Sequence, residues 1–383
     1  MGGQSDLEKK NGFACAHVLR MFGLAVGCQL HHLELWLSNV RMEDCQVVVE
    51  RVSASSIEGH ESSIFSWCNT NNHQDTGREV SDEEYEERTS KTSMSRWLPA
   101  LGHLCRYQGS MVEVVVPASI LSTFFKPSSE FARSGVAVHR VLGEEFEDCA
   151  AQVAELLPHG TGELLPQVPH GTGEMRGSGW FVRTSHCSPK DAEQEGGFGP
   201  HHSLKSALMA VAASDRCQKA LRVANYKEDL TLYLFPFDPE VRTSRELRVF
   251  VCNLRVTAIS QYAWTNPSSD FSCMTDEDLE EVALLVNQFN RDQVSPAWKR
   301  VGGIDCYVMD VEVVKEETGF SVRLIELNTF GAEFSSGSAL YHWLRDGHIL
   351  HGRSLDLEIE EEAGNQPVSR KVYFRVLCDS ESV

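Results

Sequence analysis

The chain has 383 residues, of which 42% are hydrophobic and 23% are charged, a balance typical of a globular protein with one large or two moderate domains. Its 55 acidic and 35 basic residues give a formal net charge of −20, which argues against direct binding to nucleic acid or to membrane surfaces through the overall field. The twelve cysteines include no Cys-x-x-Cys pair, which excludes zinc-ribbon and thioredoxin-like sites and indicates a reducing, cytoplasmic compartment.

The N-terminal part of the chain carries no motif that assigns it a role, and we delimit it at residues 1–60. Its apolar stretch at 18–37 is interrupted by charged residues such as Arg20, so it predicts neither a membrane span nor a signal peptide. Residues 61–95 are polar and carry the acidic run Asp82–Glu87, which predicts a solvated, flexible insert.

Residues 96–350 alternate apolar runs with turn and cap signals, which predicts one domain that contains both strands and helices. Ser203 and Thr275 are each followed by apolar residues at helical spacing, so each is predicted to cap a helix. Strands are predicted at Val112–Val116, Trp180–Arg183 and Leu230–Phe237, and as a hairpin around Asn253 formed by Glu246–Val251 and Val256–Tyr262.

A loop and an acidic tail complete this organisation. The hexapeptide Pro-His-Gly-Thr-Gly-Glu occurs at Pro158–Glu163 and again at Pro169–Glu174, too few copies for a solenoid, so we predict a surface loop at 155–179. Residues 351–383 form an acid-rich C-terminal segment with a last strand at Val372–Leu377.

Two acidic motifs, Tyr307–Glu312 and Leu324–Gly331, each place acidic side chains inside an apolar run typical of a strand. A buried carboxylate is costly unless a cation or hydrogen bonds compensate for the lost water. Glu326 and Asn328 are two residues apart, so both face the same side of their strand. With Asp310 they offer three oxygen ligands, a set that suits Mg²⁺ held jointly with phosphates. From the pattern alone, acids on the solvent face of a sheet remain an equally good interpretation.

Several short segments of the chain occur in a particular order and at particular spacings. No single segment is distinctive, but the ordered series is. The series consists of Ser188–Ala192, Ser214-Asp215, Glu246–Val251, Ile259–Gln261 and the two acidic motifs. With these segments the chain resembles, from Trp97 to Asp346, the cell division cycle protein 123 family, a divergent ATP-grasp clade.

The resemblance implies an α+β, ATP-grasp-like fold with ATP and Mg²⁺ in a cleft between two α+β lobes. It implies that Asp310, Glu326 and Asn328 are the metal ligands. It also implies a cytoplasmic assembly chaperone of eukaryotic translation initiation factor 2 that binds the γ subunit of that factor.

The same resemblance implies the nucleotide contacts. Arg183 stands in the place of a phosphate-contacting lysine, Glu246 and Arg248 face the nucleotide from one hairpin with Arg248 on a phosphate, and residues 235–239 form the adenine hinge. Arginine offers phosphate charge-assisted hydrogen bonds. The implied cofactor-binding residues are Arg183, Ser185, Phe235, Pro236, Phe237, Asp238, Glu246, Arg248, Asp310, Glu326 and Asn328.

The chain departs from the family pattern at several of these positions. Arg183 replaces a lysine and keeps the charge but not the compact ammonium group. Tyr262 stands where the family has a second cation, and Glu326 replaces a shorter aspartate. From pattern alone, Ser185 is a turn residue, and Lys190-Asp191 is a turn ion pair or the start of a helix.

Two further functions therefore stand beside the ATP-binding chaperone. One is an ATP-dependent ligase that activates a carboxylate and joins it to an amine, an idea that rests on analogy with ATP-grasp folds in general. The other is a degenerate, non-catalytic binding module that holds no nucleotide.

Overall fold

The structure is a computed structural model that describes most of the chain from residue 45 onward. It describes residues 45–56, 80–156, 179–265, 269–353 and 371–378, apart from gaps at 107–109, 135, 193–195, 197–198, 224, 239–242, 318 and 335. The chain divides into two compact units, residues 1–46 and residues 47–383. Both hexapeptide copies and the acidic stretch at 355–363 lie outside the described residues.

Two sheets organise the described part of the second unit. The larger sheet has six strands in the order β1-β9-β6-β5-β7-β8, and the smaller has three in the order β2-β4-β3. The strands are β1 (Gln46–Ser53), β2 (Val112–Val116), β3 (Trp180–Thr184), β4 (Leu230–Pro236), β5 (Glu246–Cys252), β6 (Arg255–Gln261), β7 (Tyr307–Glu316), β8 (Gly319–Thr329) and β9 (Lys371–Cys378).

Helices pack against both sheets. α5 and α6 contact the three-stranded sheet, and α8 contacts the six-stranded sheet. The helices are α1 (Asp82–Ser90), α2 (Met94–Leu101), α3 (Lys126–Arg133), α4 (Val138–Leu142), α5 (Glu145–Glu155), α6 (Leu204–Ala213), α7 (Asp215–Val223), α8 (Asp276–Phe289), α9 (Ser295–Arg300) and α10 (Gly347–Leu350).

The three-stranded sheet is antiparallel, and its edge strand β2 alternates strictly between buried and exposed residues. In β2, Val112, Val114 and Val116 are buried, whereas Glu113 and Val115 are exposed. The buried valines belong to a cluster with residues of α5 and α6, among them those that follow the predicted cap Ser203. One face of this sheet is thus covered by helices, as alternating strands require.

The six-stranded sheet is antiparallel from β6 to β8. On the other side of β6, β9 runs parallel to β6, and β1 forms the edge of the sheet. The β5–β6 hairpin turns at Asn253 and Leu254, whose φ angles are 52° and 63°. Two consecutive left-handed residues are what a tight two-residue hairpin requires. Thr275 caps α8 in a capping box with Asp278, as its sequence predicts.

The predicted α+β class is confirmed, as are the strands that the sequence predicted at Val112–Val116 and around Asn253. One prediction was wrong, because the acidic run Asp82–Glu87 forms most of α1 rather than a flexible insert. β1 lies where the sequence predicted no element. Among the described residues, no helix is both long and apolar enough to cross a membrane.

The order of α1 has local and tertiary causes. The Ser81 hydroxyl accepts a hydrogen bond from the Glu84 amide at 3.2 Å, and acidic residues fill the first turn, where the helix dipole favours them. The ammonium of Lys219, on α7, lies 3.6 Å from the centre of the Tyr85 ring, and that ring lies 6.4 Å from the ring of Phe334. Contacts distant in sequence therefore hold a helix whose composition alone predicts a solvated segment.

Candidate functional site

A cavity of about 500 Å³ lies between the two sheets. The smaller sheet contributes β3 and the end of β4, and the larger sheet contributes β5, β7 and β8. The residues that line the cavity are Cys105, Arg106, Phe181, Arg183, Ser188, Lys190, Gly199, Phe235, Pro236, Phe237, Asp238, Thr243, Glu246, Tyr262, Asp310, Glu312, Arg323, Leu324, Ile325 and Glu326.

A row of charged side chains crosses the larger sheet at the cavity floor. Arg248 on β5 pairs with Asp310 on β7, and Asp310 pairs with Glu326 on β8. Directly paired residues of neighbouring strands share one face of the sheet, so all three point the same way. Asp310 is only 1% exposed, and Arg248 binds it through two hydrogen bonds, Nε to Oδ1 at 2.9 Å and Nη2 to Oδ2 at 2.8 Å.

Asn328 joins the two acids of this row. Its Nδ2 donates to Asp310 Oδ2 and to Glu326 Oε1, both at 3.1 Å. Turning the amide by half a rotation would present Oδ1 in place of Nδ2, because the two atoms are nearly equal in shape. Within the described residues no cluster of three or more His, Cys, Asp or Glu has a metal-binding arrangement. The groups that converge here are the carboxylates of Asp310 and Glu326 and the amide of Asn328. Carboxylate and amide oxygens are the ligands that Mg²⁺ prefers.

Arg183 faces this row from the smaller sheet. Its Nη2 lies 2.7 Å from Glu326 Oε2, and the residue is 5% exposed. Its Nε is buried and has no hydrogen-bond partner in the described structure. A buried donor without a partner is costly, and a bound water, ion or ligand that accepts a hydrogen bond from it would remove that cost.

Lys190 is a second cation at the cavity, and the sequence analysis did not assign it to the site. Its Nζ lies 5.4 Å from the centre of the Tyr262 ring, and the guanidinium carbon of Arg248 lies 4.9 Å from the same ring. Asp191 is engaged elsewhere, because it accepts hydrogen bonds from the Ser214 hydroxyl at 2.5 Å and from the Arg216 amide at 3.1 Å. Lys190 thus brings a positive charge to the part of the cavity that Tyr262 lines.

The pKa shifts reflect this mixture of burial and charge. Burial raises the pKa of Glu246 to about 7, although the nearby Lys190 opposes the rise. Burial also acts to raise the pKa of Glu326, but Arg183 and Lys190 outweigh it and the pKa is lowered. Burial acts to lower the pKa of Arg248, and the carboxylate of Asp310 outweighs it and raises that pKa. Among these groups, Glu246 has a pKa close to neutral pH.

The far side of the cavity is bridged by Arg106, which follows α2. Its Nη2 lies 2.7 Å from Asp238 Oδ2, and its Nη1 lies 2.8 Å from Glu312 Oε1. Arg323 approaches the same Glu312 carboxylate at 3.8 Å. Arg106, Glu312 and Arg323 were not among the predicted site residues, although Glu312 lies in the acidic motif Tyr307–Glu312.

Of the eleven predicted site residues, eight line the cavity and three do not. Arg248 and Asn328 do not line the cavity but hold Asp310 from either side, and the remaining donor contact of Arg248 is to the Gly337 carbonyl at 2.9 Å. Ser185 also lies outside the cavity lining, in the turn that follows β3. Those that line the cavity are Arg183, Phe235, Pro236, Phe237, Asp238, Glu246, Asp310 and Glu326.

Comparison with known proteins finds one family model and two solved structures that resemble parts of this chain. The D123 family model matches residues 202–381, which include the Asp310 row and β9 but not Arg183 or Lys190. Two solved structures, Cdc123 from Schizosaccharomyces pombe and a C-terminally truncated form of it, each match with 14% identity and a TM-score of 0.48. Each match covers 76% of this chain and 97% of the other. No curated protein matches the sequence.

Proposed function

We propose that the chain is a member of the cell division cycle protein 123 family, which the match of residues 202–381 to the D123 family model supports. We propose further that the cavity between its two sheets binds ATP together with Mg²⁺, in an ATP-grasp-like manner. The observation that carries the proposal is Arg183, whose buried Nε has no partner and whose guanidinium faces the Asp310–Glu326 row. A triphosphate accepts hydrogen bonds from such a cation, and a divalent metal offsets its charge beside carboxylates.

Four residues of the chain are assigned to the metal site. Asp310 and Glu326 would hold Mg²⁺ through carboxylate oxygens, and Asn328 would supply a third oxygen if its amide, which now donates to both acids, were turned. Arg248 acts as the positioning partner of Asp310, because its hydrogen bonds go to that carboxylate and to the Gly337 carbonyl. When bound, Mg²⁺ neutralises charge on the phosphate oxygens and fixes their position.

The adenine is expected against the apolar wall made by Phe235, Pro236 and Phe237 at the end of β4. A cavity of about 500 Å³ falls within the range of small-molecule sites, which is about 300–1,000 Å³. Beyond this wall, Asp238 is held by Arg106, so the polar contacts of the base would come from backbone groups of the 235–238 segment.

Calorimetric titration with ATP, with and without Mg²⁺, tests this proposal. We expect binding that strengthens when Mg²⁺ is present, because two of the three oxygen ligands are carboxylates. No heat of binding under either condition would favour the nucleotide-free module. ADP production that requires an added amine would favour the carboxylate–amine ligase.

We further propose that the protein works in the cytoplasm as an assembly chaperone of translation initiation factor 2, through the γ subunit of that factor. Family membership supports this role, and the net charge of −20 would steer a basic patch on the partner. The acidic first turn of α1 is one exposed contributor, while Glu358–Glu362 lies outside the described residues.

A pull-down from the protein's own cytosol tests the partner. The γ subunit should be recovered, its association should slow as salt rises, and the Asp310→Ala variant should recover less of it while remaining folded. If the γ subunit is absent while the purified protein consumes ATP with a small amine, the ligase replaces the chaperone.

A further inference from the structure

Cys252 and Cys306 form the closest thiol pair among the described cysteines. Their Sγ atoms are 2.8 Å apart, whereas those of Cys187 and Cys217 are 3.6 Å apart. Neither Cys252 nor Cys306 lines the cavity, so the proposed nucleotide site makes no use of them.

The backbone places the two thiols face to face. Val251 on β5 pairs with Tyr307 on β7, so Cys252 and Cys306 occupy the next antiparallel position beyond that pair. Residues opposite each other on neighbouring antiparallel strands have Cα atoms about 4.5–5.5 Å apart, inside the range of about 4.4–6.8 Å that a disulfide requires. A bond between the two sulfurs therefore requires no rearrangement of the strands.

We propose that Cys252 and Cys306 are a reversible oxidation site, at which a peroxide converts the two thiols into a disulfide that joins β5 to β7. Cys306 is the more accessible of the two, since it is half-buried whereas Cys252 is 7% exposed. The Cys306 thiolate attacks one oxygen of hydrogen peroxide, the O–O bond breaks, and the product is a sulfenic acid and, with one proton, water. Cys252 then attacks the Cys306 sulfur, its proton goes to the departing oxygen, and a second water leaves.

The local environment supports Cys306 as the attacking sulfur. The hydrogen bond from Cys252 lowers the pKa of Cys306 against the opposing effect of burial. A lowered pKa raises the fraction of thiolate, which is the reactive form. In a reducing cytoplasm the bond would be transient and would be reversed by thiol exchange.

A disulfide between Cys252 and Cys306 would link β5 covalently to β7, the strands that carry Arg248 and Asp310 of the proposed metal site. Arg248 lies four residues before Cys252 on β5, and Asp310 lies four residues after Cys306, on β7. Closing a long loop constrains the unfolded chain, so oxidation should raise the Tm by about 5 °C. This inference rests on the thiol geometry and holds whether or not the cavity binds ATP.

The test uses the reduced, full-length protein, treated with hydrogen peroxide and then digested without reductant for mass spectrometry. We expect a peptide pair linked through Cys252 and Cys306, formed about tenfold faster than oxidation of the exposed Cys273. Dithiothreitol should restore both thiols and the original Tm.

Two variants sharpen the result. Cys252→Ser should leave a Cys306 sulfenic acid that dimedone traps, and the Cys273→Ser control should still form the linked pair. If peroxide oxidises Cys273 in the folded wild-type protein while Cys252 and Cys306 stay unlinked, the proposal is overturned.

Discussion

Replacing Arg183 by methionine should weaken ATP binding strongly, because methionine keeps an unbranched apolar stem and removes the guanidinium. The loss of one charge-assisted hydrogen bond costs about 1.5–3 kcal/mol, which corresponds to a dissociation constant about 10–150 times larger. Isothermal titration with ATP and excess Mg²⁺ measures this change directly.

The same change has a separate cost in stability. Glu326 loses a partner 2.7 Å away, and its side chain is 20% exposed. Breaking a fully buried ion pair costs about 3–5 kcal/mol, but solvent and the nearby Lys190 reduce this to about 1–3 kcal/mol here. Urea unfolding of Arg183→Met measures this cost, and adding Glu326→Gln to the variant should recover part of it, since no unpaired carboxylate then remains.

The matched control is Arg222→Met on α7, whose arginine forms an exposed pair with Asp215 at 3.3 Å. We expect neither its ATP affinity nor its stability to change measurably. If Arg183→Met is destabilised but binds ATP as the wild type does, Arg183 serves only as the partner of Glu326, and the reasoning about phosphate is refuted.

Three further predictions follow from the site and from α1. Because burial raises the pKa of Glu246 from 4.5 to about 7, the folded state binds more protons than the unfolded state in that window, and stability falls as the pH rises through it. Glu246→Gln should remove about 2–3 kcal/mol of this fall, measured by urea unfolding at pH 5 and pH 8; an equal fall in both proteins would contradict the assignment. Asp310→Asn should abolish most of the strengthening of ATP binding by Mg²⁺ in the same titration, and full retention would mean that the metal lies elsewhere. Tyr85→Ala should destabilise the protein by about 1 kcal/mol through loss of the Lys219 contact, whereas Glu86→Ala on the exposed side of α1 should leave the unfolding midpoint unchanged.

The convergence of Asp310, Glu326 and Asn328 could be predicted from the sequence. Two consecutive strands with a short connection pair as a hairpin, and a spacing of two residues places Glu326 and Asn328 on one face. The hairpin around Asn253 was accessible for the same reason, since periodicity and turn residues are local signals.

The parts that failed depend on contacts between distant residues. Lys190 reads locally as half of a turn ion pair, and only the fold shows that Asp191 is taken by Ser214 and Arg216 while Lys190 faces the cavity. Arg248 carries the charge of a phosphate contact, but its strand neighbour Asp310 takes two of its hydrogen bonds. The hydrophobic periodicity of a sequence does not indicate which residue a buried charged side chain will pair with in the fold.

The most direct test of the central claim is a crystal structure of the protein grown with ATP and Mg²⁺. The account predicts Mg²⁺ at about 2.0–2.1 Å from oxygens of Asp310, Glu326 and Asn328, with Arg183 on a phosphate oxygen and the base against Phe235–Phe237. A cavity that stays empty at saturating nucleotide, or a triphosphate bound away from the Asp310–Glu326 row, would contradict it.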